Sequence, residues 1–264
     1  MLTIEQCLAA RENGVMIPNE HYHRLDGISG SQLPLLEESN KHYDNRHKFS
    51  PGDASHFDLG THVHSLALEG VNNAAVMPKF ESKAVCGVLI KEQKQEFLGD
   101  NNGKLIIAQD DYDKSLRMAE NVRAIAGDII HGGIIELSIF AQYSTEPVII
   151  KCRIDCQHGD DDYDLKTITP KSSNLSELEL KRHCEHYGYY KSAALRNIVR
   201  RTLGINIGDS YLIFVSTSPG HMVKIRRLRP EIIAEHEDYI HDLLLQRRRY
   251  LKNLRDLDIK DLLC

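Results

Sequence analysis

Apolar positions change their period along the chain. Within residues 1–20, Ile4, Cys7, Leu8 and Val15 are spaced for a short amphipathic helix followed by a loop. In 27–47, Ser29 or Ser31 offers an N-cap, Pro34 is tolerated in a first turn, and Leu35, Leu36 and Tyr43 predict a helix ending near His47. Val63, Leu66 and Leu68 form the apolar stripe of a second helix, with Gly70 as its stop. His64 shares a face with Gly60 and Leu68 there, a setting that usually means a satisfied core or rim histidine. From 71 to 109 the pattern is weaker. Residues 85–89 read as a short strand or part of a helix, 91–97 as helix, 100–103 as a turn and 104–108 as a strand. A helix from Asp110 or Asp111 should run to about Ala126, and the glycines in 127–133 predict a break.

From Ile134 the period becomes two, as in a strand. Ile135, Leu137, Ile139, Ala141 and Tyr143 share one face, opposite Glu136, Ser138, Phe140 and Gln142. Val148, Ile150, Cys152, Ile154 and Cys156 repeat the pattern, opposite Lys151, Arg153 and Asp155. In a third run, Asp164 and Lys166 oppose Tyr163, Leu165 and Thr167. Each run carries an acid where a buried strand normally refuses one: Glu136, Asp155 and Asp164. If Gly159-Asp160 is a two-residue hairpin loop, positions summing to 319 are opposed and Asp155 faces Asp164. If Thr145-Glu146 is another, the sum is 291 and Glu136 faces Asp155. A bulge in either turn would shift these registers. Like charges that close repel unless a cation sits among them. Hard Mg²⁺, or Mn²⁺ in its place, takes such oxygen ligands. Any one of these residues alone reads best as a solvated edge. Glu136, Asp155, Asp164 and Lys166 aligned on one face of a mostly apolar sheet read as a site. The charged tip Asp160–Asp162 reads as solvated turn.

Residues 176–203 predict one long helix, with Leu180, Cys184, Tyr187, Leu195, Ile198 and Val199 on its buried side. Residues 211–216 predict a buried strand, turned by Ser218-Pro219-Gly220 into 221–228, and Pro230 opens a last helix to about Leu254.

The 264 residues suffice for a sizeable core, and 41% hydrophobic with 27% charged residues is ordinary for a soluble protein. No apolar run approaches the length of a membrane span, and residues 1–16 lack both the basic start and the apolar run of a secretory signal. The six cysteines lack a C-x-x-C pair, which argues against a zinc ribbon or iron–sulfur cluster and for reduced thiols in a cytoplasm. A net charge of −5 does not advertise nucleic acid, yet an acidic catalytic centre tolerates a basic surface elsewhere. Three basic clusters could supply one: Arg196/Arg200/Arg201, Lys224/Arg226/Arg227/Arg229 and Arg247/Arg248/Arg249. Since charge runs are usually solvated, one of the three is expected to touch phosphate.

R-I-D at 153–155, eight residues, then D-L-K at 164–166 resembles the split carboxylate–lysine motif of the PD-(D/E)xK nuclease superfamily. Within it the chain resembles the RecE (exonuclease eight) domain and its phage relatives. GISGSQL at 27–33, LGTHVHSLALE at 59–69 and IELSIF at 135–140 resemble that family's other signatures, in order, over residues 20–250. The resemblance implies an α/β fold, a central mixed β-sheet flanked by helices, as one nuclease domain over 1–264. Its parts would be an N-terminal helical segment (1–55), a catalytic core (56–229) and a C-terminal helix (230–264). It implies metal ligation by Asp155 and Asp164, the Leu165 carbonyl, Glu136 and His64, with Lys166 orienting the nucleophile. Many relatives carry glutamine and, four residues on, tyrosine in the following helix. Here His186 and Tyr190 stand at that spacing; the histidine departs from the pattern, and packing explains Tyr190 equally well. Ser29, Ser31, His186, Arg196, Arg200 and Arg226 are the candidate DNA contacts. The activity implied is Mg²⁺-dependent digestion of double-stranded DNA ends, 5′ to 3′, in a bacterial host cytoplasm. The implied partners are a ring-like homo-oligomer and a single-strand annealing protein serving recombination. A related endonuclease or repair nuclease, and an inactive DNA-binding or oligomerisation module, are the alternatives.

Overall fold

The computed structural model describes residues 1–48, 55–78, 87–144, 148–171 and 175–262. Its strands are β1 (Val15–Met16), β2 (Ala74–Val76), β3 (Leu105–Ile107), β4 (Ile134–Gln142), β5 (Ile149–His158), β6 (Asp161–Ile168), β7 (Ser210–Ser216) and β8 (Val223–Arg227). Its helices are α1 (Ile4–Ala9), α2 (Asn19–Arg24), α3 (Leu33–Glu38), α4 (Asn40–Asp44), α5 (Ser55–His64), α6 (Gly87–Asp100), α7 (Gln109–Gly132), α8 (Glu177–His186), α9 (Tyr189–Thr202) and α10 (Pro230–Leu262). A six-stranded sheet runs in the order β1-β4-β5-β6-β7-β8, and β2 with β3 forms a separate parallel pair. Only the β6–β7 pairing in the large sheet is parallel, so the sheet is mixed.

Helices cover both faces, as the apolar patterning requires. One core joins Leu33, Leu36 and Tyr43 to Leu137, Ile139, Ile150, Ile154, Leu212 and Phe214, and to the inner stripes of α8, α9 and α10. A second joins α7 (Met118, Val122, Ile130) and the 63–68 stripe to Cys156, Tyr163, Leu165, Ile213 and Val215. Each large apolar side chain fully buried there contributes roughly 1.5–3 kcal/mol.

Several expected elements differ. The 27–47 helix is three pieces: Ser29 caps a 3₁₀ turn over Gly30–Gln32, then come α3 and α4, which Ser39 separates by accepting from the His42 amide. The break expected at 127–133 is absent, because Ala126 and Ile130 continue the buried stripe across Gly127 and carry α7 to Gly132. The predicted helix over 176–203 is instead two helices. Gly188 takes φ 65°, a left-handed conformation that glycine adopts freely, and the chain turns there. Tyr187, expected on the buried side, is 59% exposed as a result. Of the 85–89 expectation, 85 and 86 lie outside the described residues, and 87–89 belong to α6.

Candidate active site

The hairpin registers hold where strands pair. Every β4–β5 partner pair sums to 291, from Ile134↔Gln157 to Gln142↔Ile149, although 145–147 lie outside the described residues. Every β5–β6 pair sums to 319. The carboxylate pairs themselves are the ones that do not form. Glu136 has φ 60°, rare for a residue with a Cβ, and no Glu136↔Asp155 rung joins the ladder. The alternation breaks there too. Ile135 and Cys156 pack in one core while Leu137 and Ile154 pack in the other, so neither strand keeps the single apolar face expected of it. The β5–β6 ladder ends at Cys156↔Tyr163, and β6 continues along β7. Asp155 therefore does not face Asp164 across a rung; its Oδ2 accepts from the Leu165 amide at 2.8 Å. Directly opposed carboxylates repel, and the splayed strands give each one a donor instead.

His64 reaches this gap from α5. Gly60 lets the helix lie close on β6, where a Cβ would stand 3.1 Å from Thr167 Oγ1. Beyond His64 the helix widens into a π turn over Ser65–Glu69, ended by left-handed Gly70. Two residues earlier, His62 is the satisfied core histidine that the pattern would allow, bonded to Asn72 and Ser115. His64 Nδ1 lies 3.1 Å from Glu136 Oε1, and Nε2 lies 3.0 Å from Asp155 Oδ2. The three side chains are 24%, 13% and 14% exposed, so the cluster is half-buried.

Burial would push the His64 imidazole down, but Asp155 and Glu136 together raise it, favouring an imidazolium. Burial likewise works against the Asp155 carboxylate, and His64 and Lys166 overrule it, holding Asp155 well below the usual range. Asp164 moves the other way: burial and the neighbouring Asp155 charge raise it against the pull of Lys166 and Arg196. The Asp155 charge thus disfavours a second charge beside it at Asp164, while Lys166 and Arg196 favour one. Lys166 Nζ is 3.0 Å from Asp164 Oδ2. Burial lowers its pKa, but Asp164 and Asp155 more than compensate, so it stays an ammonium.

Behind Asp164 stands a network that the sequence did not reveal. Asp162 is 1% exposed, not a solvated turn residue. Its Oδ1 lies 2.8 Å from Arg196 Nη2, its Oδ2 lies 3.7 Å from Arg200 Nη1, and Ser210 Oγ donates to Oδ2 at 2.8 Å. Arg196 Nη1 also reaches Asp164 Oδ2 at 3.6 Å. Arg196 and Arg200, expected at a DNA surface, are 5% and 0% exposed. They are internal counter-charges because a buried guanidinium must be paired.

The other candidates divide. Tyr190 is 4% exposed in the core beside the inner stripe of α10, its ring 6.4 Å from that of His236. The break at Gly188 also means that His186 and Tyr190 do not share one helical face, and His186 is exposed. It is Tyr189 whose ring the Lys166 ammonium approaches, at 5.4 Å. Ser29 is 3% exposed and works locally, its hydroxyl 3.2 Å from that of the exposed Ser31. Arg226 Nη1 is engaged by Glu177 Oε2 at 2.7 Å, and Arg247 by Asp44 at 2.6 Å. Leu165 contributes its amide to Asp155, while its side chain fills the second core. Arg153 was missed as a site residue: its Nε donates to Glu136 Oε2 and its Nη1 to the Ile17 carbonyl. The signal was present, since Arg153 and Asp155 stand two apart and share a strand face.

His64, Glu136 and Asp155 each offer a ligand atom, all within 4.8 Å of one another. Two carboxylates and one imidazole, with Asp164 against Asp155, form a donor set that fits a hard divalent cation. A cation held there would take His64 as the neutral imidazole, because a ligating nitrogen needs its lone pair free.

No protein-family profile matches the chain, and no curated protein sequence does. Among solved structures, it resembles a protein from Eubacterium rectale provisionally described as an exonuclease. That likeness has TM-score 0.57 and 13% identity over 91% of this chain and 88% of that one. A phage-related exonuclease from Haemophilus somnus gives TM-score 0.37 and 11% identity over 88% and 96%. The first likeness establishes the shared fold.

Proposed function

We propose that this protein is a divalent-metal-dependent nuclease that digests linear double-stranded DNA from its ends. The observation that carries the reading is the convergence of His64, Glu136 and Asp155, from three separate elements, beside the Asp164–Lys166 pair at the gap between β5 and β6. A bound Mg²⁺ or Mn²⁺ would lower the pKa of a coordinated water and offset charge building on the phosphate. His64, Glu136 and Asp155 would hold it, with Asp164 completing the shell. The Leu165 amide and Arg153 fix the two carboxylates before any ligand arrives, which is preorganisation. Lys166, kept charged by Asp164, can orient the attacking water and neutralise a phosphate oxygen.

The sequence resemblance adds finer content to the proposal: 5′-to-3′ polarity, a ring-like homo-oligomer around DNA, and a single-strand annealing protein that takes the exposed strand in a bacterial cytoplasm. The end-directed mode is supported by the described exonuclease with which the fold is shared. The test is a time course on end-labelled linear duplex and on closed circular duplex, with Mg²⁺ and with EDTA. Linear DNA should shorten from its ends only with Mg²⁺, and Asp164→Ala and Lys166→Ala should each abolish cleavage in a folded protein. Cleavage undiminished in EDTA refutes the metal mechanism, and rapid cutting of closed circles refutes the end-directed mode.

A further inference from the structure

Beside the catalytic lysine, a line of aromatic rings leads from the sheet to the surface. Phe214 in β7 is buried, and Tyr189 packs on it with ring centroids 6.3 Å apart. Lys166 Nζ sits 5.4 Å from the centre of the Tyr189 ring. Tyr187 then stacks on Tyr189 at 5.9 Å, with the planes only 15° apart. Two histidines brace Tyr187, His183 at 4.4 Å and His186 edge-on at 4.7 Å. Tyr187 is nevertheless 59% exposed, the most exposed of the large aromatic side chains among the described residues.

This stack depends on the break between α8 and α9. Residues two apart on a continuous helix point to different sides and cannot stack. Gly188, in its left-handed conformation, turns the chain between the two tyrosines and brings their rings parallel. Helix propensity alone would not place an aromatic pair around that glycine, and the arrangement leaves tyrosine surface in water. Core packing accounts for Phe214 and Tyr189; it does not account for Tyr187.

We infer that Tyr187, backed by Tyr189, is a stacking surface for an unpaired nucleobase of the DNA strand whose phosphate lies at Lys166. The inference rests on the nuclease reading and specifies how that site takes its substrate. A base inside a duplex has both faces covered by its neighbours. A frayed or single-stranded base has a free face, and aromatic side chains bind such faces with little regard to sequence. Tyr189 links the two functions, since it touches the lysine on one side and the stacking tyrosine on the other.

The experiment uses short duplexes with a single-stranded tail, with 2-aminopurine placed at successive positions near the junction. Binding is measured in Ca²⁺ and again in EDTA. Wild type should quench the probe at one position near the scissile phosphate, and an abasic nucleotide at that position should weaken binding about tenfold. Tyr187→Ala should lose the quench, bind the intact strand about tenfold more weakly, and no longer distinguish intact from abasic DNA. Tyr187→Phe should behave as wild type, which a role for the hydroxyl would not allow. Thermal midpoints of both variants should match wild type, because the side chain is mostly in water. Binding and quenching by Tyr187→Ala within about twofold of wild type overturn the inference. If wild type still digests linear duplex in Mg²⁺ in that case, the nuclease reading stands alone. A wild-type protein that neither binds nor cleaves DNA removes both.

Discussion

Replacing Asp162 by alanine removes the carboxylate between two buried guanidiniums. Arg196, Asp162 and Arg200 have side chains 6%, 1% and 0% exposed, so water cannot stand in for the missing charge. What remains is partial. Arg196 keeps Asp164 at 3.6 Å, and Arg200 Nη2 keeps the Asp160 carbonyl at 2.8 Å. Removing one partner of a buried pair costs about 3–5 kcal/mol, and here two cations lose their counter-charge, so the upper end is expected. Against a typical total of about 5–15 kcal/mol that is a large share of stability. Arg196→Met should cost less, because Asp162 retains Arg200 at 3.7 Å and the Ser210 hydroxyl.

The double variant Asp162→Ala/Arg196→Met is the sharper measurement. Once Asp162 is gone, Arg196 is a poorly compensated cation, and removing it relieves part of the damage. The double loss should fall short of the summed single losses by about 1–3 kcal/mol. Urea unfolding followed by circular dichroism gives all four values, provided the dependence on urea concentration is the same throughout. A cost under about 1 kcal/mol for Asp162→Ala alone, or additivity of the two changes to within about 0.5 kcal/mol, would show that Asp162 does not hold the two cations.

Three other outcomes are expected. Lys151 is fully buried on the carbonyls of Tyr22 and Leu25, and burial, with help from Arg46, lowers its pKa from 10.5 to about 8. Between those values the unfolded chain binds more protons than the folded one, so wild type should gain roughly 3 kcal/mol on Lys151→Met as pH rises across that window; a flat difference in urea unfolding across that range would show the lysine to be ordinary. Gly133→Ala should cost about 1–3 kcal/mol by overpacking, since its Cβ would stand 2.4 Å from Cys156 Sγ and 3.0 Å from the Ile129 carbonyl; an unchanged thermal midpoint would contradict this. Tyr190→Phe should leave both stability and DNA cleavage unchanged or slightly improved, because the buried hydroxyl has no partner among the described residues; a tenfold loss of cleavage would return Tyr190 to the site.

What the sequence showed, and what it hid, divides by the range of the interaction. The β4–β5–β6 register was readable because a two-residue turn fixes which positions oppose, and both sums hold. Glu136, Asp155, Asp164 and Lys166 were placed on one face by that register, whereas His64 joined them only through the family resemblance. The local departure at Glu136 was not readable, since nothing about a glutamate announces a positive φ. The buried ion network was hidden for a different reason. Asp162 and Arg196 are far apart in the chain, and a charge is tolerated inside only through a partner that sequence neighbours do not identify. Each half alone therefore read as surface.

Glycines show the same limit in one residue type. Gly127 and Gly188 both interrupt helical patterns, yet α7 runs through the first while α8 and α9 part at the second. A glycine inside a helix costs about 1 kcal/mol relative to alanine. At Gly127 that is outweighed by Ala126 and Ile130, which must both reach the same core on the α7 stripe. Around Gly188 the apolar stripe does not continue in phase: Cys184 and Tyr190 both enter the first core, six residues apart, which no single helix face allows. The chain must turn between them, and glycine is the residue that turns most cheaply. That phase slip was present in the sequence. It is also what carries Tyr187 out to solvent beside Tyr189 and Lys166, so the misread helix and the inferred base-stacking surface have one physical origin.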